Sequence, residues 1–206
     1  MPMEAGSRPR ARRMPRGARR AQLLEAALEV FVASGYHAAG MDDIAERAGV
    51  SKPVLYQHFP SKLDLYLALL DAACDSVIAG VRAALSSTDV NKERVAGTTD
   101  AFYTYVTDAD GAFRLVFESD LTSEPAVRER VDRVTMACAD AIAEVIAEDT
   151  GFAPEKARLL AAALVGMSHV SARFWLSTRG ELPQSQAVDL ISTLAWRGLG
   201  GFPRQG

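Results

Sequence analysis

The sequence predicts an all-α protein in two parts, a small N-terminal helix-turn-helix unit and a larger C-terminal helical body. Three observations carry this. Apolar residues recur three and four apart almost throughout, and the period-two alternation of strands is scarce. Residues 41–62, MDDIAERAGVSKPVLYQHFPSK, read as two short helices joined by a tight turn and followed by the start of a third. Nearly half of the 206 residues are apolar, enough for a sizeable core without staples. The expected division is a disordered basic arm over 1–15, a helix-turn-helix domain over 16–62 and a helical body over 63–206.

In the turn region Ile44, Ala45 and Ala48 share one face of a short helix. Gly49 follows, where a left-handed cap costs least. Val50 can plug the angle between the helices, Ser51 is a good N-cap, and Pro53 lies in a first turn that tolerates its missing N–H. Leu55 and Phe59, four apart, would pack back on Ile44 and Ala48. Lys52, Pro53, Tyr56 and Gln57 then face outward together, a set of donors suited to phosphates and base edges in a major groove. Phe59-Pro60 breaks this helix. Ser61 and Asp64 form a capping box for the next, and Lys62 lies at its N-terminus, where phosphate is favoured.

The body continues as helices. One long helix runs from Leu63 to about Ser86, and another from about Lys92 to Val106. A shorter helix over 112–120 carries Phe113, Val116 and Phe117. Pro125 opens a helix ended by Gly151, Pro154 opens one through Leu176, and the last spans about Gln184 to Leu199. Aromatic and Met residues cluster in the middle helices beside small Ala and Gly neighbours. Phe102, Tyr105, Val106, Phe113, Phe117, Met136, Met167 and Phe174 are therefore candidates to line a deformable apolar pocket, against the plainer reading of a packed core.

Charge narrows the function. Residues 1–20 carry seven arginines against Glu4, a net of +6, while the remainder is −9. The local charge is what a phosphate feels, so the arm suits DNA, although a solvated tail has the same composition. Cys74 and Cys138 are far apart and read as reduced structural thiols. The three histidines are too scattered for a metal site, and GxSxG, P-loop and GxGxxG motifs are missing, so neither metal nor catalysis is expected. The N-terminus lacks the apolar segment of a signal peptide and no run of eighteen apolar residues stands out, which points to the cytoplasm and away from membranes.

The FVASGYHAAGMDDIA run, the AGVSKPVLYQHFPSK core and the Leu63-Asp64-Leu65-Tyr66 continuation resemble the DNA-binding domain of TetR-family regulators. The resemblance implies a three-helix domain (about 18–35, 42–48 and 52–58). It places Tyr56, His58 and Lys62 on phosphates and Lys52, Pro53, Val54 and Gln57 on bases, with Arg16 and Ser51 beside them. One departure is Met41, where the family usually has an N-capping Thr; the cap must then come from Asp42 or the backbone. The resemblance also implies a homodimer through the last two helices, with Leu160, Leu164, Met167, Val188, Ile191 and Ala195 at suitable spacing.

Over nearly the whole chain, including FRLVFESDLTSEP and ALVGMSHVSARFWL, the closer resemblance is to actinobacterial TetR-type regulators of fatty-acid synthase genes. It implies operator DNA as partner and a long-chain acyl-CoA effector. Two alternatives fit the same residues: a TetR-type repressor of efflux or catabolic genes with another hydrophobic ligand, and a lipid carrier that binds no DNA and holds acidic membranes with its basic arm.

Overall fold

The computed structural model describes residues 14–107, 121, 123–178 and 181–198. The helix expected over 112–120, with Phe113 and Phe117, and the arginines of the arm before residue 14 lie outside them. Every regular element among the described residues is an α-helix: α1 (Arg16–Ala38), α2 (Met41–Arg47), α3 (Lys52–His58), α4 (Lys62–Ser86), α5 (Asn91–Thr107), α6 (Pro125–Thr150), α7 (Pro154–Ser177) and α8 (Gln184–Arg197).

The three N-terminal helices share a small core. α1 buries Leu23, Ala27 and Phe31, α2 adds Ile44 and Ala45, and α3 adds Leu55, with Phe59 just beyond it. Gly35 interrupts α1 with φ 74°, near where the sequence reading ended that helix. Gly49 takes φ 63° in the turn, and the Val50 N–H donates to the Ala45 carbonyl at 3.0 Å. A side chain at 49 would strain that left-handed turn.

α2 begins one residue earlier than expected. Its N-cap is Gly40, whose N–H donates to Asp43 Oδ2 at 3.1 Å, so Asp43, and not Asp42, supplies the cap. Met41 is the first helical residue and is buried, which suits an apolar side chain where the family has a hydroxyl.

α4 links the two parts. Its first half packs on α1, and further along it lies against α5 and α6. Leu65, Leu69, Tyr66 and Leu70 give way to Cys74, Val77 and Val81 on one continuous buried stripe. α6 packs between α4 and α7, and α5 lies between α4 and α8. Gly151, at φ 67°, reverses the chain after α6.

α7 departs from one expectation. It is the one helix among the described residues that is long and apolar enough to cross a membrane, although most of it is not buried within the chain. No unbroken apolar run marks it in the sequence, because Ser168, His169, Ser171 and Arg173 interrupt its Ala, Leu and Val residues. The average over the whole helix is nevertheless apolar, and its uncovered face carries Leu159, Val170 and Phe174.

Candidate functional site

α3 presents two opposed faces. Leu55 has no exposure and anchors the helix, whereas Lys52, Pro53, Tyr56 and Gln57 are exposed on the other side; Val54 and His58 are half-buried at its edges. Seven residues are two turns, so the side chains at 52, 53, 56 and 57 stand as one row along the outer surface.

Ser51 occupies the N-cap position but its hydroxyl makes no capping bond. The reason is local: Pro53 has no N–H, and the Val54 N–H donates to the Ser51 carbonyl at 2.9 Å, so the hydroxyl is left facing solvent at the head of the row. Lys52 is held in place by Asp42, with Nζ 2.8 Å from Oδ1 and 3.0 Å from Oδ2. That hydrogen bond and ion pair push the Lys52 pKa up, so its charge is secure at neutral pH. The outer face of α3 and its N-cap therefore offer a cation, a phenol, an amide and a hydroxyl on a protruding helix, with Arg16 exposed at the start of α1.

Lys62 is placed differently from the sequence expectation. Its ammonium donates to the carbonyls of Tyr36 at 2.8 Å, Ala39 at 2.9 Å and His37 at 3.3 Å, and lies 4.5 Å from the centre of the Tyr36 ring. All three donors of the ammonium are used on carbonyls of the short segment that follows the Gly35 break. Lys62 ties α4 to α1 and has no donor left for phosphate. Arg20, not singled out in the sequence, rests over the Phe59 ring at 5.0 Å and braces the end of α3.

The second feature is a cavity of about 700 Å³ between α4, α5, α6, α7 and the end of α8. That volume suits a drug-sized or lipid ligand, for which pockets run roughly 300–1,000 Å³. α4 contributes Val77, Val81 and Leu85, and α6 lines it from Val134 to Thr150, about 24 Å of helix at 1.5 Å per residue. Arg94 and Asp149 supply its charges among the described residues, with Thr99, Thr135, Ser168 and His169 as further polar members. Burial, and then the nearby Arg173, push the His169 pKa down, so the imidazole is neutral at pH 7. Burial drives the Cys138 thiol up to about 11, as it does Cys74, so both stay protonated and unreactive.

Of the residues expected to line a pocket, Phe102 and Met167 are on this cavity. Tyr105 and Val106 are buried in the core but not on its wall. Met136 and Phe174 are corrections, being 64% and 70% exposed. Each stands two residues beyond an inward position, Val134 and Ala172, and two residues turn a helix by about 200°, onto the opposite face. Phe113 and Phe117 lie outside the described residues. Helical spacing found the apolar residues but not which of two apolar faces turned inward. Of the apolar positions expected at the dimer seam, Leu164, Met167 and Ala195 line the cavity, Leu160 lines it while also being 46% exposed, and Val188 is buried; further exposed apolar positions on α7 and α8 include Leu159, Val170, Phe174, Leu190 and Trp196. The residues the sequence reading missed, Val77, Val81, Leu85, Val134, Cys138 and Ile142, lie on the inward stripes of α4 and α6.

Residues 23–69, which span the helix-turn-helix, match the family of bacterial regulatory proteins named for TetR. The chain is 47% identical over 199 residues to the HTH-type transcriptional activator FasR of Mycolicibacterium smegmatis, an alignment covering 97% of this chain and 91% of that protein. The chain belongs to the TetR family. As a TetR-family protein it is a helix-turn-helix transcriptional regulator. Its fold is shared with a TetR-like regulator from Rhodococcus sp. RHA1 (28% identity, TM-score 0.73, 92% of this chain and all of that one). It is also shared with FadR from Bacillus subtilis, solved with stearoyl-CoA (17% identity, TM-score 0.75, covering 87% of this chain and 98% of that one).

Proposed function

We propose that this regulator controls lipid-metabolism genes as a homodimer whose affinity for operator DNA responds to a long-chain acyl-CoA. The observation that carries this reading is the apolar cavity built along α4, the helix that also packs on the DNA-binding unit. An acyl chain in the cavity gains roughly 0.8 kcal/mol per buried methylene. The ligand then biases the angle at which α4 leaves the DNA-binding domain, provided it fits one arrangement better than the other. Arg130 Nε, 2.8 Å from Asp71 Oδ1, couples α6 to α4 between the cavity and that domain. FasR as a relative and the stearoyl-CoA held by FadR support a lipid effector over other hydrophobic ligands.

Operator contacts are assigned to Arg16, Ser51, Lys52, Pro53, Val54, Tyr56, Gln57 and His58, with the arm over 1–15 adding phosphate contacts. Residues 16–62 form the DNA-binding domain and 63–206 the effector and dimer domain. A second copy would cover the outward face of α7 and α8, where Leu159, Val170, Phe174 and Leu190 are exposed. Such a regulator acts in the cytoplasm, without catalysis and without a membrane.

The test is to titrate acyl-CoAs of increasing length into a preformed complex with an inverted-repeat operator. Response should climb with chain length and stop when the cavity is full. Equal response to short and long chains, or none, refutes the acyl-CoA effector. Phe174→Glu should convert a dimer to a monomer in sedimentation; retention on anionic vesicles in place of DNA would favour the lipid-carrier alternative.

A further inference from the structure

We propose that Arg94 anchors the anionic head of the acyl ligand, a carboxylate or phosphate oxygen, at the outer end of the cavity. The inference rests on the acyl-effector reading above and names the group that would orient that ligand. Arg94 sits in the first turns of α5 with its side chain largely buried, and among the described residues it is the cation on the cavity wall, His169 being neutral at pH 7.

Its guanidinium is fixed at one end and exchangeable at the other. Nε donates to the carbonyls of Thr88 at 2.8 Å and Leu85 at 3.0 Å, which locks the plane of the group against the end of α4. The outer nitrogens meet Asn91 Oδ1 at 3.0 Å and two carboxylates, Asp149 Oδ2 and Asp89 Oδ1, each at 3.3 Å. Charge-assisted bonds to a carboxylate normally close to about 2.7–2.9 Å, so both ion pairs are long. Asp89 is fully exposed and Asp149 partly so; pairs of that kind hold weakly against a competitor. An incoming anionic oxygen could therefore take the place of Asp149 without moving the Arg94 stem. Arginine's fork suits carboxylate and phosphate alike.

The position also sets the ligand's direction. Arg94, Asp149 and Thr150 mark the cavity end farthest from the DNA-binding helices, at the close of α4 and α6. A head held there sends the acyl chain inward past Ile146 and Val81 toward Phe102 and Val77, nearer the segment of α4 that meets α1. Among the described residues, an anion buried elsewhere along this wall would lack a cation to pair with, at a high cost.

The experiment measures binding of myristate, myristoyl-CoA and tetradecanol to the full chain through the fluorescence of Trp196, which lines the cavity. Arg94→Gln should weaken the two anions at least tenfold and leave the alcohol within twofold. Asp149→Asn removes the competing carboxylate and should tighten the anions about threefold or more. Loss of all three ligands together in a folded Arg94→Gln, equal binding of all three, or an Asp149→Asn that weakens the anions would each overturn the proposal. A gain of affinity cannot come from misfolding, so Asp149→Asn decides the matter even if Arg94→Gln does not fold. Response of myristate alone assigns Arg94 to a carboxylate, and response of myristoyl-CoA alone assigns it to the nucleotide phosphates. If none of the three binds the parent chain, the acyl-effector reading itself falls; if they bind and Arg94 is indifferent, only its role does.

Discussion

Replacing Lys62 by Met should cost stability before it costs DNA binding. Its ammonium makes two good hydrogen bonds, 2.8 and 2.9 Å, to the carbonyls of Tyr36 and Ala39, and a longer one of 3.3 Å to His37. A hydrogen bond to a charged group contributes about 1.5–3 kcal/mol net when buried. Lys62 is only half-buried and water can reach the carbonyls it leaves, so each short bond is discounted to roughly 1 kcal/mol and the long one to little. The ammonium over the Tyr36 ring adds about 0.5–1 kcal/mol. The sum is about 2–3 kcal/mol, or roughly 5–10 °C in Tm at the ~2–4 °C per kcal/mol expected for a chain of this size. Met keeps the aliphatic stem, so the loss reports the polar contacts. Circular-dichroism melts and urea titrations of Lys62→Met and Lys62→Arg measure it, with operator affinity taken at a temperature where every variant is folded. An unchanged Tm with a sharp fall in operator affinity would refute the argument and return Lys62 to the phosphate contact the family pattern implies.

Tyr56→Phe should weaken binding to all operator sequences alike by removing a phosphate hydrogen bond, whereas Gln57→Ala should relax preference at one position; competition between operator variants separates the two. Gly40→Ala should destabilise the DNA-binding domain by about 1–2 kcal/mol, because a Cβ there would lie 2.8 Å from the Asp43 oxygen that caps α2, and urea denaturation reads the loss. His169 has its pKa lowered by burial, so the unfolded chain binds the proton more readily and stability should fall as pH drops below about 6.5. His169→Phe should flatten that part of the pH profile in thermal melts. Deleting residues 1–15 should flatten the salt dependence of operator affinity while leaving the melt of the remainder unchanged, and an unchanged slope would make the arm a solvated tail.

The helix-turn-helix was legible in the sequence because its determinants are local. Gly49, Pro53 and the Phe59-Pro60 break act through neighbours a few residues away, and the α3 bounds fall at Lys52 and His58, between that turn and that break, as the family resemblance implies. The order and approximate ends of the described body helices were legible for the same reason, since Pro125, Gly151 and Pro154 act on the backbone around them. The outward row on α3 followed from one buried anchor, Leu55, on a helix with a single apolar face.

Where a helix is apolar on two faces, periodicity alone was not enough. α7 carries Leu160, Leu164 and Met167 toward the cavity and Leu159, Val170 and Phe174 away from it, and both rows repeat at helical spacing. The rotation of α7 about its axis is set by Ala157 and Ala161, small enough to let Ala139 and Ala143 of α6 approach. Lys62 shows the same limit in a polar side chain: the three carbonyls that take its donors lie 23 to 26 residues earlier. By itself the sequence determined the helices, the turn between α2 and α3 and the face of α3 turned to solvent, because those depend on backbone preference and one hydrophobic contact. Which residues line the cavity, which lie outside it, and where Lys62 spends its charge were decided only by tertiary packing, because each depends on which of several available partners the fold brings within reach.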